Sequence, residues 1–104
     1  MQEYRKRNPE KMKSIDLKKR FNISLETYKK LLSDQDFVCA ICLQPESKKD
    51  HRTGKVRDLA VDHCHKTGTI RGLLCTDCNT GLGLFKDNPL LLEVAKRYIQ
   101  TQGA

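Results

Sequence analysis

Two Cys-x-x-Cys pairs, Cys39/Cys42 and Cys75/Cys78, constrain this chain more than any other feature. Each such turn can present two sulfurs to one ion. Two turns complete the tetrahedral shell that closes a structural zinc site. Thirty-two residues, 43–74, separate the pairs. That is longer than the usual ribbon spacing and leaves room for a loop plus a hairpin. A chain of 104 residues buries only roughly 60–70% of the surface its unfolded form exposes. Just 38% of these residues are hydrophobic, and none is Trp. So small a core gains from a staple. Zinc contributes on the order of 10–16 kcal/mol to folding in small finger peptides, above the net stability of most domains this size. A redox motif or two buried thiol pairs are the competing readings. Two pairs in one short basic chain favour metal.

Lys and Arg number 20 against 13 Asp and Glu, for a net charge of +7. That balance suits a polyanion, most simply nucleic acid, although it also serves solubility. Met1–Arg7 has no apolar stretch behind it, so no secretory signal is expected. No run of about 18 apolar residues exists to span a membrane. The expected setting is the cytoplasm, where cysteines stay reduced and paired motifs suggest metal rather than disulfides. Cys64 is the odd thiol, expected to pack inward as a small apolar group.

The coarse organisation is a basic helical region, 1–36, followed by a zinc-bound domain with a closing helix, 37–104. Asn8-Pro9 reads as a cap followed by proline at the first helical position, and Glu10 to about Arg20 as a charged helix. Phe21-Asn22-Ile23 breaks it. Ser24 caps a second helix, Leu25 to about Ser33, with Leu25, Tyr28, Leu31 and Leu32 close to one face. Pro45 to Arg57 is polar loop, and His51 within it is read as solvated. Leu59-Ala60-Val61 is consistent with a strand, Lys66-Thr67-Gly68 with a turn and Thr69–Leu74 with the return strand. Asp77 to about Leu84 is a short helix despite two glycines. Asn88-Pro89 repeats the capping signal before an amphipathic helix, Leu90 to about Gln100. Its Leu90, Leu91, Leu92, Val94, Ala95 and Ile99 are expected to pack on the core.

Between the cysteine pairs lies Asp62-His63-Cys64-His65, and Asn79 directly follows the last cysteine. Asp62 and Asn79 offer oxygen ligands that suit Mg²⁺. Imidazole changes charge near neutral pH, so His63 can take a proton from water. His65, two residues on, faces the same side of an extended strand. It can donate to a phosphate, as can Arg71 on the return strand. Strict alternation places Asp62 on the opposite face from His63. Both reach one site only if the strand bends or bulges near Asp62. Structural roles stay open: His65 as a zinc ligand, Asn79 as a helix cap.

These residues carry a resemblance. Cys39-Ala40-Ile41-Cys42, Val61–Gly68, Ile70–Cys75, Cys78-Asn79 and Leu82-Gly83 resemble the phage recombination endonuclease VII family, within the HNH or ββα-metal nucleases. The match spans about Phe37 to Gln100. It implies a small α+β fold: a zinc-stapled, treble-clef-like ββα-metal core with flanking N-terminal and C-terminal helices. It implies structural zinc on Cys39, Cys42, Cys75 and Cys78, and one catalytic Mg²⁺ or Mn²⁺ on Asp62 and Asn79. His63 would be the general base and His65 the contact to the scissile phosphate. Apart from the resemblance, Arg71 and Lys66 are expected as nucleic-acid contacts. The implied reaction is phosphodiester hydrolysis in DNA, leaving 5′-phosphate and 3′-hydroxyl ends. Cutting both strands is easier for a homodimer. Junction-resolving members carry a longer C-terminal portion, whereas only residues 85–104 follow the short helix here. Nicking or cutting of duplex DNA is therefore expected alongside branched substrates. The alternative is a zinc-stapled DNA-binding module without catalysis. A weaker third reading is a protein-docking module acting through the closing helix.

Overall fold

The computed structural model describes residues 9–102. In order, the elements are α1 (Pro9–Phe21), α2 (Leu25–Asp34), β1 (Ala60–His63), β2 (Ile70–Leu74), α3 (Thr76–Leu84) and α4 (Pro89–Gln102). The described residues form a small α+β fold with four helices and one two-stranded antiparallel sheet. None of the described helices is long and apolar enough to cross a membrane. The expected cap at Asn8 lies outside the described residues.

α1 places Glu10 in its first turn and Lys18, Lys19 and Arg20 in its last, each charge opposing the nearby pole of the helix dipole. It stops at Asn22, which is left-handed at φ 58°, a conformation Asn tolerates better than most residues. The Asn22 N–H donates to the Lys18 carbonyl, the single bond of an αL cap, and the Ile23 N–H donates to that of Leu17. One residue on, the Ser24 side chain accepts from the Thr27 N–H at 3.1 Å and starts α2.

The core is small: Leu17, Tyr28, Leu59, Val61, Leu73 and Leu74 with Cys39 and Cys75. It draws on both leading helices and on the hairpin. The Tyr28 hydroxyl donates to the Leu59 carbonyl at 2.6 Å, which ties α2 to the residue just before β1. Burial pushes that phenol's pKa up, and the Asp58 charge adds to the shift.

Gln35 joins α2 to the other strand. Its side-chain oxygen accepts from the Leu73 N–H at 2.9 Å, while its amide donates to the carbonyls of Leu73 and Val38. The side chain thereby fills both backbone valences of an edge residue of β2, as a neighbouring strand would. A Cβ at Gly72 would stand 3.1 Å from the Gln35 oxygen, so that glycine permits the close approach.

The closing helix departs from expectation. No α4 residue is buried: Leu90, Leu91, Val94 and Ile99 are exposed, and Leu92 and Ala95 only half-buried. α1, α2 and the hairpin already fill the core, leaving α4 no hydrophobic layer to cover. Cys64 also differs from expectation. It is half-buried rather than packed inward, and contacts from Thr67 hold its thiol below the usual range.

Candidate functional site

The two knuckles meet as the cysteine spacing predicts. Cys39, Cys42, Cys75 and Cys78 bring their sulfurs within 4.8 Å of one another, with Cys42 Sγ and Cys75 Sγ 3.8 Å apart. Each knuckle folds on its own sulfur. The Ile41 N–H donates to Cys39 Sγ and the Cys78 N–H to Cys75 Sγ, both at 3.4 Å. Cys75 is also the N-cap of α3. Burial pushes the Cys39 thiol up, but hydrogen bonds from the surrounding backbone and from Cys78 outweigh it and bring the group to about 6. Burial and the neighbouring thiols push Cys78 up to about 12. Such a cluster accepts a first negative charge and resists further ones. Four thiolates so close need a divalent cation, and this donor set and geometry fit zinc.

Glu46 braces the second knuckle from the polar loop. Its carboxylate accepts from the Thr76 N–H at 2.7 Å and the Thr76 hydroxyl at 2.8 Å, and from the N–H groups of Ser47 and Lys48. A negative group thus sits on the first turn of α3, where the dipole favours it. Burial opposes its ionisation, but these hydrogen bonds outweigh burial and leave its pKa lowered.

The hairpin is irregular beside Asp62, as expected. Asp62 pairs with Gly72 but His63 pairs with Ile70, so Arg71 is an extra residue on β2. The added residue sits on the return strand rather than on β1 itself. Beyond it, Asp62, His63, His65 and Asn79 line one cleft of about 250 Å³, together with Arg20, Phe21 and Val61. The His63 and His65 ring centroids are 5.0 Å apart. Phe21, at the end of α1, meets His63 edge-on at 5.6 Å. Asn79 reaches the cleft from the first turns of α3, whose N-cap is Cys75, so Asn79 does not cap that helix.

Arg71 takes a position that sequence alone does not indicate. Its Nε and Nη2 donate to the two Asp62 oxygens at 2.8 and 3.0 Å. Its Nη1 and Nη2 donate to Asp87 at 3.0 and 2.9 Å. The guanidinium pulls the Asp87 pKa down, and the two carboxylates push that of Arg71 up. Asp62 keeps lone pairs for another partner, since a carboxylate offers about four acceptor positions. Asp62 and the neutral oxygen of Asn79, which line the same cleft, could serve as a sparse set of hard donors of the kind Mg²⁺ accepts alongside waters.

Beside this cleft lies a wider one of about 480 Å³, which His65 also lines, with Cys64, Lys66, Arg71, Lys86, Asp87, Asn88 and Pro89. Asp87 and Phe21 are the residues of the site that sequence reasoning missed. Asp87 offers no motif. Phe21 announces only the end of a helix.

Over 81 residues, or 77% of this chain, it is 38% identical to the Gene 59 protein of Mycobacterium phage D29, and equally to the Gene 59 protein of Mycobacterium phage L5. The matched stretch is 45% and 43% of those proteins, so the chain spans less than half the length of the curated relatives it matches. No solved structure matches it with significance. The model of the family described as recombination endonuclease VII matches residues 14–101. Nearly the whole described chain thus falls under one family description, and the protein belongs to the recombination endonuclease VII family.

Proposed function

We propose that the protein is a metal-dependent DNA endonuclease of the HNH, ββα-metal type. The observation that carries this reading is the single cleft shared by Asp62, His63, His65 and Asn79. A module that only binds DNA has no need of an imidazole pair beside a carboxylate and an amide. His63 accepts the proton of the water that attacks phosphorus, the task of a general base. His65 donates to a non-bridging oxygen of the same phosphate and stabilises the charge that builds there. Asp62 and Asn79 would hold one Mg²⁺ or Mn²⁺. When bound, that ion supplies Lewis-acid neutralisation of the phosphoryl group and of the departing 3′ oxygen. The products are 5′-phosphate and 3′-hydroxyl ends. Zinc on the four thiolates takes no part in the chemistry. It holds the start of α3, and with it Asn79, against the hairpin. Lys66 meets the backbone without reading bases, as phosphate contacts do.

The test is nicking of supercoiled plasmid by zinc-loaded protein in Mg²⁺. His63→Ala is expected to lose about 10²–10⁴-fold in rate, the usual contribution of a positioned base. Asn79→Ala is expected to be strongly impaired. Both variants should keep their zinc and their helical circular dichroism. Cleavage by His63→Ala at the wild-type rate refutes the base assignment. DNA that is retarded in a gel yet stays intact with every divalent metal supports the non-catalytic binding module instead.

A further inference from the structure

Asp62 presents an electrostatic difficulty. A ligand for a divalent cation needs negative charge to spare, yet the Arg71 guanidinium grips both of its oxygens. A carboxylate paired with a guanidinium is neutral overall and a poor cation ligand. The structure sets a second carboxylate, Asp87, against the neighbouring edge of the same guanidinium, with Nη2 shared between the two acids. The three groups together carry one net negative charge.

We propose that Asp87 is a positioning residue for the candidate metal site, acting through Arg71 to hold Asp62 in one orientation while keeping it negative enough to bind a divalent cation. This rests on the reading of Asp62 as a cation ligand. Three observations carry it. First, the bulge places Arg71 as the unpaired residue opposite the Asp62–His63 step, and its side chain meets the carboxylate of Asp62. Second, Arg71 has five N–H donors in a fixed plane, and bonds from Nε, Nη1 and both hydrogens of Nη2 go to the two carboxylates. Little remains for a phosphate, so Arg71 serves the acids rather than the DNA. Third, Asp87 sits in a left-handed pair with Lys86, at φ 54° and 59°. Backbone of this kind is costly for residues with a Cβ and persists where its surroundings hold it. Here the Asp87 N–H donates to the Leu82 carbonyl and the Lys86 N–H to that of Gly83. The Asp87 side chain is about one-quarter exposed, against 13% for Asp62. The turn between α3 and α4 thus delivers one carboxylate to the rear of the hairpin's guanidinium.

The experiment follows Mn²⁺ binding to the full zinc-loaded chain without DNA, read from the paramagnetic resonance signal of free Mn²⁺. Wild type is expected to bind, and Asp62→Asn to abolish binding at that site. Asp87→Asn is expected to weaken it about tenfold, within the range for residues that support a metal ligand, and Asp87→Glu to recover part of the loss. In cleavage assays the half-saturating Mg²⁺ concentration should rise in step, with the KM for DNA unmoved. Asp87→Asn binding Mn²⁺ as tightly as wild type, with Asp62→Asn still defective, overturns the role of Asp87 alone. Equally so does a lowered melting temperature with unchanged Mn²⁺ affinity, because that marks a merely structural turn. Unchanged binding by Asp62→Asn, or none by wild type, overturns the reading of Asp62 beneath it as well.

Discussion

Phe21 closes α1 by setting its ring edge-on to the His63 imidazole, with centroids 5.6 Å apart and planes at 60°. The first described helix therefore reaches the cleft and limits how the candidate base can turn. Aromatic edge contacts of this kind are worth about 0.5–1.5 kcal/mol beyond their buried area. If the contact holds His63 in its working orientation, Phe21→Leu should slow cleavage by up to about tenfold, the rate equivalent of that energy. The His63 ring-proton resonances should shift as the ring current disappears. An unchanged cleavage rate with shifted resonances means that His63 is held by other contacts.

Removing the zinc should unfold the chain. Among the described residues six apolar side chains are buried besides Cys39 and Cys75, and two of the three core elements, the hairpin and α2, meet at the first knuckle through Gln35. Metal binding is worth on the order of 10–16 kcal/mol in comparable small domains. Addition of a strong chelator should abolish the far-ultraviolet helical signal, and added zinc should restore it. Retention of native dichroism in the metal-free chain counts against zinc as the staple.

The local signals were legible because each is local chemistry. Ser24 caps α2 as its hydroxyl predicts, and Asn88 accepts from the Leu90 and Leu91 N–H groups at 2.9 and 3.3 Å at the start of α4. The two Cys-x-x-Cys turns converge because sulfur geometry allows little else. That the hairpin departs from regular pairing near Asp62 was legible from alternation, but that the extra residue is Arg71 on the return strand was not. Arg71 is read from sequence as a donor to phosphate. Its partner Asp87 lies 16 residues away across the α3–α4 turn, and nothing in the intervening residues encodes that encounter. The amphipathic pattern of α4 is real, yet an apolar stripe does not say what covers it.

Glu46 gives a pH prediction. Its carboxylate accepts from Thr76, Ser47 and Lys48 and its folded pKa is lowered from 4.5. A depressed acid contributes stability above its unfolded pKa and loses it as pH falls through the folded value. Between about pH 6 and 8 the group is ionised in both states, so its contribution there is constant. Glu46→Gln should therefore cost about 1 kcal/mol, the typical worth of a helix cap, and the same amount throughout that window. Urea unfolding of the zinc-loaded protein at three pH values reads it. A cost that grows or shrinks across the window assigns the effect to another titrating group.

The exposed face of α4 predicts the opposite of what its sequence pattern suggests. Val94 is 56% exposed, whereas Leu73 is fully buried in the core. Surface substitutions away from special features usually change stability by less than about 0.5 kcal/mol. Val94→Ser should fall in that range, particularly as Ser and Val have similar helix propensities. Leu73→Ala should cost about 2–5 kcal/mol, since it removes buried methyl groups and leaves a cavity. Both are read from denaturant unfolding at low protein concentration, where any self-association through α4 is dissociated. A cost for Val94→Ser approaching that of Leu73→Ala means that α4 lies against an apolar surface in solution, and the stripe read from the sequence would then be a packing face after all.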